Sequence, residues 1–145
     1  RRGLPIHGLR GTDGAPIAIA GSSDGPPTVF LGRPGSNTVS IKNAAHVIVR
    51  DPELDGRGAF VDAVKAEGHA DYAHHITLEN LYIHNLVRHQ QSVGISTKCP
   101  AWDWVVRGNR IVGVVTASGR QRADRDQGGD GEGGRTPRSV GGAQV

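Results

Sequence analysis

The sequence predicts an all-β fold, a β-solenoid, and three observations carry that reading. Glycine (22) and proline (8) make up about a fifth of the 145 residues, which demands frequent turns and argues against a helical bundle. Apolar residues form short runs rich in Val and Ile, the residues that favour pleated strands. The pattern apolar-x-apolar-x4-apolar recurs as Val47-Val49-Leu54, Ile76-Leu78-Ile83 and Trp104-Val106-Ile111, and the starts at Val47, Ile76 and Trp104 are almost evenly spaced. A fixed period in the range of about 20–50 residues marks stacked repeats. With 36% hydrophobic and 4% aromatic residues, a globular core would be thin.

Taken in order, residues 1–7 read as a lead-in, because Arg1-Arg2-Gly3-Leu4-Pro5 opens no apolar run. Coils are expected from residue 8 to residue 114. Turns fall at Asp24-Gly25-Pro26 and Asp55-Gly56, where Asp serves backbone hydrogen bonding. Upstream of each repeat lies a short apolar pair: Val39/Ile41, Val64/Ala66 and Val93/Ile95, the last two separated by the same period as the first two repeats. Inward residues of a straight strand keep one parity. Val49/Leu54, Leu78/Ile83 and Val106/Ile111 are each five apart, so parity breaks once per unit. Asp51, Asn80 and Asn109 sit at or next to that break, and Asp and Asn enter the left-handed backbone region more readily than other non-glycine residues. Asn80 and Asn109, one period apart, are expected to stack and exchange amide hydrogen bonds. Cys99, followed by Pro100, closes the Val93–Lys98 strand; as the sole cysteine it excludes an internal disulfide and a Cys-based zinc cluster.

Composition shifts near residue 114. From Ala117 onward there is no aromatic residue, Ile or Leu, and Gly, Arg, Asp, Gln and Ser dominate. Such a segment buries too little apolar surface to offset its ordering entropy. Residues 115–145 are therefore expected to be a disordered tail or an off-frame translation. A chain that starts at Arg1 and contains no Met is expected to be a fragment. No secretory leader pattern is visible, and no run approaches the roughly 20 apolar residues that span a bilayer. The net charge is +3, with 17 basic against 14 acidic residues spread along the chain. Nucleic-acid binding needs clustered charge, so neither nucleic acid nor membrane is an expected partner.

Several stretches carry a resemblance to a known family. They are Gly11-Thr12-Asp13-Gly14-Ala15-Pro16-Ile17-Ala18-Ile19-Ala20-Gly21, Asp62-Ala63-Val64-Lys65-Ala66-Glu67-Gly68, His75–Ile83, Val93–Lys98 and Trp104–Ile111. Over residues 8–114 the chain resembles the right-handed parallel β-helix superfamily, the pectate-lyase-like fold, of bacterial secreted type. The resemblance implies about four coils, a secreted or cell-surface location and a carbohydrate-active, polysaccharide lyase-like function on an acidic polysaccharide. Lyases of that fold abstract a proton with Arg or Lys while Ca²⁺, held by Asp or Glu, neutralises the uronate carboxylate. The hydrolases use clustered aspartates. Neither the Arg-x-Pro-x-x-Arg pattern nor a paired-Asp motif is present, so a complete active site is not expected. The alternative is a non-catalytic, adhesin-like solenoid that binds partners through its faces.

Candidate binding residues follow from parity. With Val64/Ala66 and Val93/Ile95 inward, Lys65, Glu67 and His69 face outward. One period on, they stack over Gly94, Ser96 and Lys98. The result is a polar ledge for an acidic glycan, weighed against an ordinary solvated face. Trp104 falls in the inward set, and Trp102 is a sugar-stacking candidate. His69, His74 and His75 cluster around Asp71, but alternation sets His74 and His75 on opposite faces, so no metal site is assigned.

Overall fold

The computed structural model describes residues 3–68, 72–87, 92–99 and 101–113. Residues 115–145 and His69 lie outside the described residues. Among the described residues, twelve strands alternate among three sheets, every strand-to-strand pairing is parallel, and no helix occurs. The first sheet stacks β1 (Leu4–His7), β4 (Val39–Lys42), β7 (Val64–Glu67) and β10 (Ile95–Ser96). The second stacks β2 (Ile17–Ala20), β5 (Ala45–Arg50), β8 (Ala73–Glu79) and β11 (Ala101–Arg107). The third stacks β3 (Val29–Leu31), β6 (Glu53–Asp55), β9 (Tyr82–His84) and β12 (Arg110–Ile111). Each rung visits the sheets in the same order. The protein is a parallel β-solenoid of four rungs, making about three full turns.

The sequence period is the register of two of these sheets. Val47, Ile76 and Trp104 stand in one row, and Val49, Leu78 and Val106 in the next. Leu54, Ile83 and Ile111 form the matching row of the third sheet. Val47, Val49, Leu54, Ile76, Leu78 and Ile83 are fully buried, so the core is a set of aligned apolar ladders inside the coil. Parallel stacking puts like residue on like residue, and each added coil covers the one before it. The solenoid also starts before residue 8. Leu4–His7 forms β1, pairs with β4 and buries Ile6 against the core. Pro5 is accommodated because β1 is the edge strand of its sheet, where a missing N–H is tolerated.

Corners are set by residues with left-handed backbone. Asp51 (φ 68°), Asn80 (φ 55°) and Gly108 (φ 65°) stack at the corner between the second and third sheets. The Asn80 amide nitrogen donates to Asp51 Oδ1 at 3.2 Å. The expected Asn80–Asn109 amide pair is not formed. Leu78 pairs with Val106 and Glu79 with Arg107, so the last rung is one position shorter here and Gly108 lies over Asn80. Glycine suits this left-handed position, where a Cβ would force the Asn80 side-chain oxygen to move. Asn109 instead turns inward to the rung before it: its Nδ2 donates to Leu78 O (3.0 Å) and its Oδ1 accepts from Leu81 N (2.8 Å). It satisfies two backbone groups that the bend leaves outside the strand ladder.

A second bend lies within the second sheet itself. His46 (φ 51°), His75 (φ 53°) and Asp103 (φ 55°) interrupt β5, β8 and β11 at equivalent positions. Two residues, His74 and His75, therefore separate the buried Ala73 and Ile76 where a regular strand has one. Both histidines lie outside the core with their Nδ1 atoms 2.7 Å apart, which corrects the alternation argument. That argument assumed an extended backbone at His75.

Candidate functional site

The outer face of the first sheet carries a groove of about 650 Å³. Alternation along β1, β4 and β7 buries Ile6, Val39, Ile41, Val64 and Ala66, and so presents Pro5, His7, Ser40, Lys65 and Glu67 outward as its floor. The Arg33–Asn37 turn and the Phe60–Asp62 segment form the walls, and Lys98 closes one end.

A continuous hydrogen-bond chain fixes the floor. Ser40 Oγ donates to Glu67 Oε2 at 2.8 Å, and His7 Nε2 lies 3.0 Å from the same hydroxyl. With Ser40 donating to Glu67, its one proton is engaged by the carboxylate, which differs from the arrangement of a serine nucleophile on a histidine base. The Asn37 amide nitrogen donates to Glu67 Oε1, and Asn37 Oδ1 accepts the Asp62 N–H at 3.1 Å. Asp62, only 5% exposed, accepts the Val93 N–H at 2.9 Å and stands 3.7 Å from Lys65 Nζ. Both carboxylates thus have neighbours on both oxygens. The lining holds Arg33, Lys65 and Lys98 against Asp62 and Glu67, three cations to two anions with histidine neutral. A concave, hydrogen-bonding, slightly cationic surface with Phe60 (52% exposed) on its wall suits a polyhydroxylated anion.

Lys65, Glu67 and Lys98 all line this groove. Their stacking differs in register from the fixed-period expectation: Ser96, rather than Gly94, pairs with Lys65. The link between β9 and β10 (85–94) is longer by two than that between β6 and β7 (56–63), which shifts the last rung by two. Trp102 lies elsewhere, on the second sheet, 46% exposed and stacked on His74 with ring centroids 4.6 Å apart. Asp51, Asn80 and Asn109 serve the corner described above. Ser40, Asn37, Asp62 and His7 were not singled out from the sequence. Leu4 pairs with Val39 and Val39 with Val64, two unequal offsets that a fixed period does not find. The usable signal was the pair Val39/Ile41 set against Val64/Ala66, which places Ser40 beside Lys65.

Neither the protein-family models, nor the curated proteins, nor the solved structures include a match to this chain. The assignment as a parallel β-solenoid rests on its own strands and their register.

Proposed function

We propose that the groove binds an acidic polysaccharide, and that the chain belongs to a secreted or cell-surface, carbohydrate-active β-helix protein of the pectate-lyase-like kind. The supporting observation is the floor itself: Lys65 and Lys98 flank a Glu67 carboxylate whose two oxygens are held by Ser40 and Asn37. The lysines supply charge for uronate carboxylates, while the second N–H of the Asn37 amide and the other ring nitrogen of His7 supply hydrogen bonds for hydroxyls. Glu67 sets the spacing of the cations and limits their repulsion.

Binding to uronate-rich oligosaccharides is expected to exceed binding to neutral ones of equal length. It should weaken as salt rises, because exposed charges are screened beyond about 8 Å at physiological ionic strength. The double variant Lys65→Ala/Lys98→Ala should lose roughly tenfold in affinity, about 1.4 kcal/mol. Calorimetric titration of parent and variant checks this, and equal affinity for every glycan would reduce the groove to a solvated face.

Calcium gives a separate prediction. Since the oxygens of Glu67 and Asp62 already have protein partners, added Ca²⁺ should leave the affinity unchanged. Strengthening by Ca²⁺ would make Glu67 an ion ligand instead. The same engagement of both carboxylates favours a second reading, a non-catalytic adhesin-like solenoid that holds the glycan without cleaving it. Incubation with polyuronate separates the two: a lyase generates unsaturated uronate ends, which absorb in the ultraviolet, and a binder generates none.

A further inference from the structure

The second sheet carries a polar cluster that the groove does not use. The left-handed bends at His46 and His75 stack these residues on adjacent rungs, since Ala45 pairs with His74 and Val47 with Ile76. Asp103, at the equivalent bend of the next rung, follows on the other side of His75. The His46 and His75 rings are stacked with centroids 4.4 Å apart, and His46 meets His74 edge-on at 5.9 Å. His74 Nδ1 and His75 Nδ1 face each other at 2.7 Å. One ring nitrogen from each of the three histidines lies within 4.8 Å of the other two.

We infer that His46, His74 and His75 form a binding site for one divalent transition-metal ion of the Zn²⁺ type, with a further coordination position open to solvent. Imidazole nitrogen suits ions of this borderline class, and three protein ligands on a surface leave room for water. Zinc–nitrogen bonds of about 2.0–2.1 Å put two ligands of a tetrahedral ion about 3.3 Å apart. The His74 and His75 Nδ1 atoms, 2.7 Å apart, are closer than that, and all three histidines offer a nitrogen within 4.8 Å of the others, so side-chain rotations of an ångström or so bring the set into range.

The surroundings orient the ligands. Asp103 Oδ2 lies 3.6 Å from His75 Nε2, on the side of the ring away from His74. A carboxylate there comes within hydrogen-bond reach of Nε2–H after a small rotation, the usual support for a histidine that binds metal through its other nitrogen. The Trp102 ring, 6° from parallel with His74, fixes that imidazole from the other face. Burial, then the neighbouring His75, His46 and Arg10, lower the pKa of His74 from the ordinary histidine value, against an opposing pull from Asp103. Arg10 adds one nearby positive charge and Asp103 one negative, so the field over the cluster is not set by the arginine alone.

The test is titration of the whole chain with Zn²⁺ in competition with a chelating dye, and with Co²⁺ read by its visible absorption. One Zn²⁺ per chain is expected, with a Co²⁺ spectrum showing nitrogen ligation at low coordination number. His46→Asn and His75→Asn each remove an imidazole while keeping a residue that accepts the left-handed backbone, so the fold should survive, as circular dichroism can verify. Each should weaken binding at least tenfold. Asp103→Asn, touching only the supporting carboxylate, should weaken it about tenfold as well. His7→Ala, on the first sheet, should bind as the parent does. Undiminished binding by both histidine variants, an equal loss in His7→Ala, or no stoichiometric Zn²⁺ binding would each overturn the inference. Glycan binding by His75→Asn should equal that of the parent, so failure here is distinguishable from failure of the groove.

Discussion

Leu78→Ala is expected to lower the stability of the solenoid by roughly 2–5 kcal/mol, the range for emptying a leucine site in a close-packed core. Leu78 is fully buried in the ladder between Val49 and Val106, where its side chain links two successive rungs. In a repeat fold, stability is a sum of coil and interface terms, so this cavity weakens two interfaces at once. Val105, 46% exposed on the neighbouring strand, is the control: Val105→Ala should cost no more than about 0.5 kcal/mol. Urea unfolding followed by circular dichroism measures both. A similar loss for the two variants would mean that the aligned ladders are not the core.

Asn80→Val should be nearly as severe, at roughly 2–4 kcal/mol, while Asn80→Gly should cost distinctly less. Two effects add for valine. A β-branched residue is strained at a φ of 55°, and the hydrogen bond to Asp51 is lost. Glycine loses the same hydrogen bond without the strain. Because Asn80 is solvent-exposed, the bond is the smaller part, and the difference between the variants reads the backbone strain directly. Equal losses in urea unfolding would show that the left-handed bend at residue 80 contributes nothing to the corner.

How much of this was legible depends on how regular the links are. The second and third sheets could be read because nearly equal offsets repeat along them, from Val47 to Ile76 to Trp104 and from Leu54 to Ile83 to Ile111. The first sheet could not, since its steps from Leu4 to Val39, Val39 to Val64 and Val64 to Ile95 are all unequal, and it is the sheet that bears the groove. Lys65 and Glu67 were accessible because they share a strand with the inward Val64 and Ala66. Their hydrogen-bond partners Ser40 and Asn37 come from the preceding rung, and Asp62 from the link before β7.

The corner bend at Asp51 and Asn80 was visible as a break in parity marked by residues that tolerate it. The bend at His46 and His75 leaves the same kind of trace. Ala44 and Val47, Ala73 and Ile76, and Ala101 and Trp104 are each three apart, and these pairs recur with the period of the solenoid. Histidine is a less obvious occupant of left-handed backbone than Asn, and alternation then gave the wrong face for the pair.

The direct test of the groove as a glycan site is nuclear magnetic resonance mapping of the ¹⁵N-labelled chain during titration with an oligouronate. The account predicts that perturbed backbone amides cluster at His7, Asn37, Ser40, Lys65, Glu67 and Lys98, with the changes reduced by salt. Perturbations centred on Trp102 and the second sheet, or none on the first sheet at saturating glycan, would contradict it.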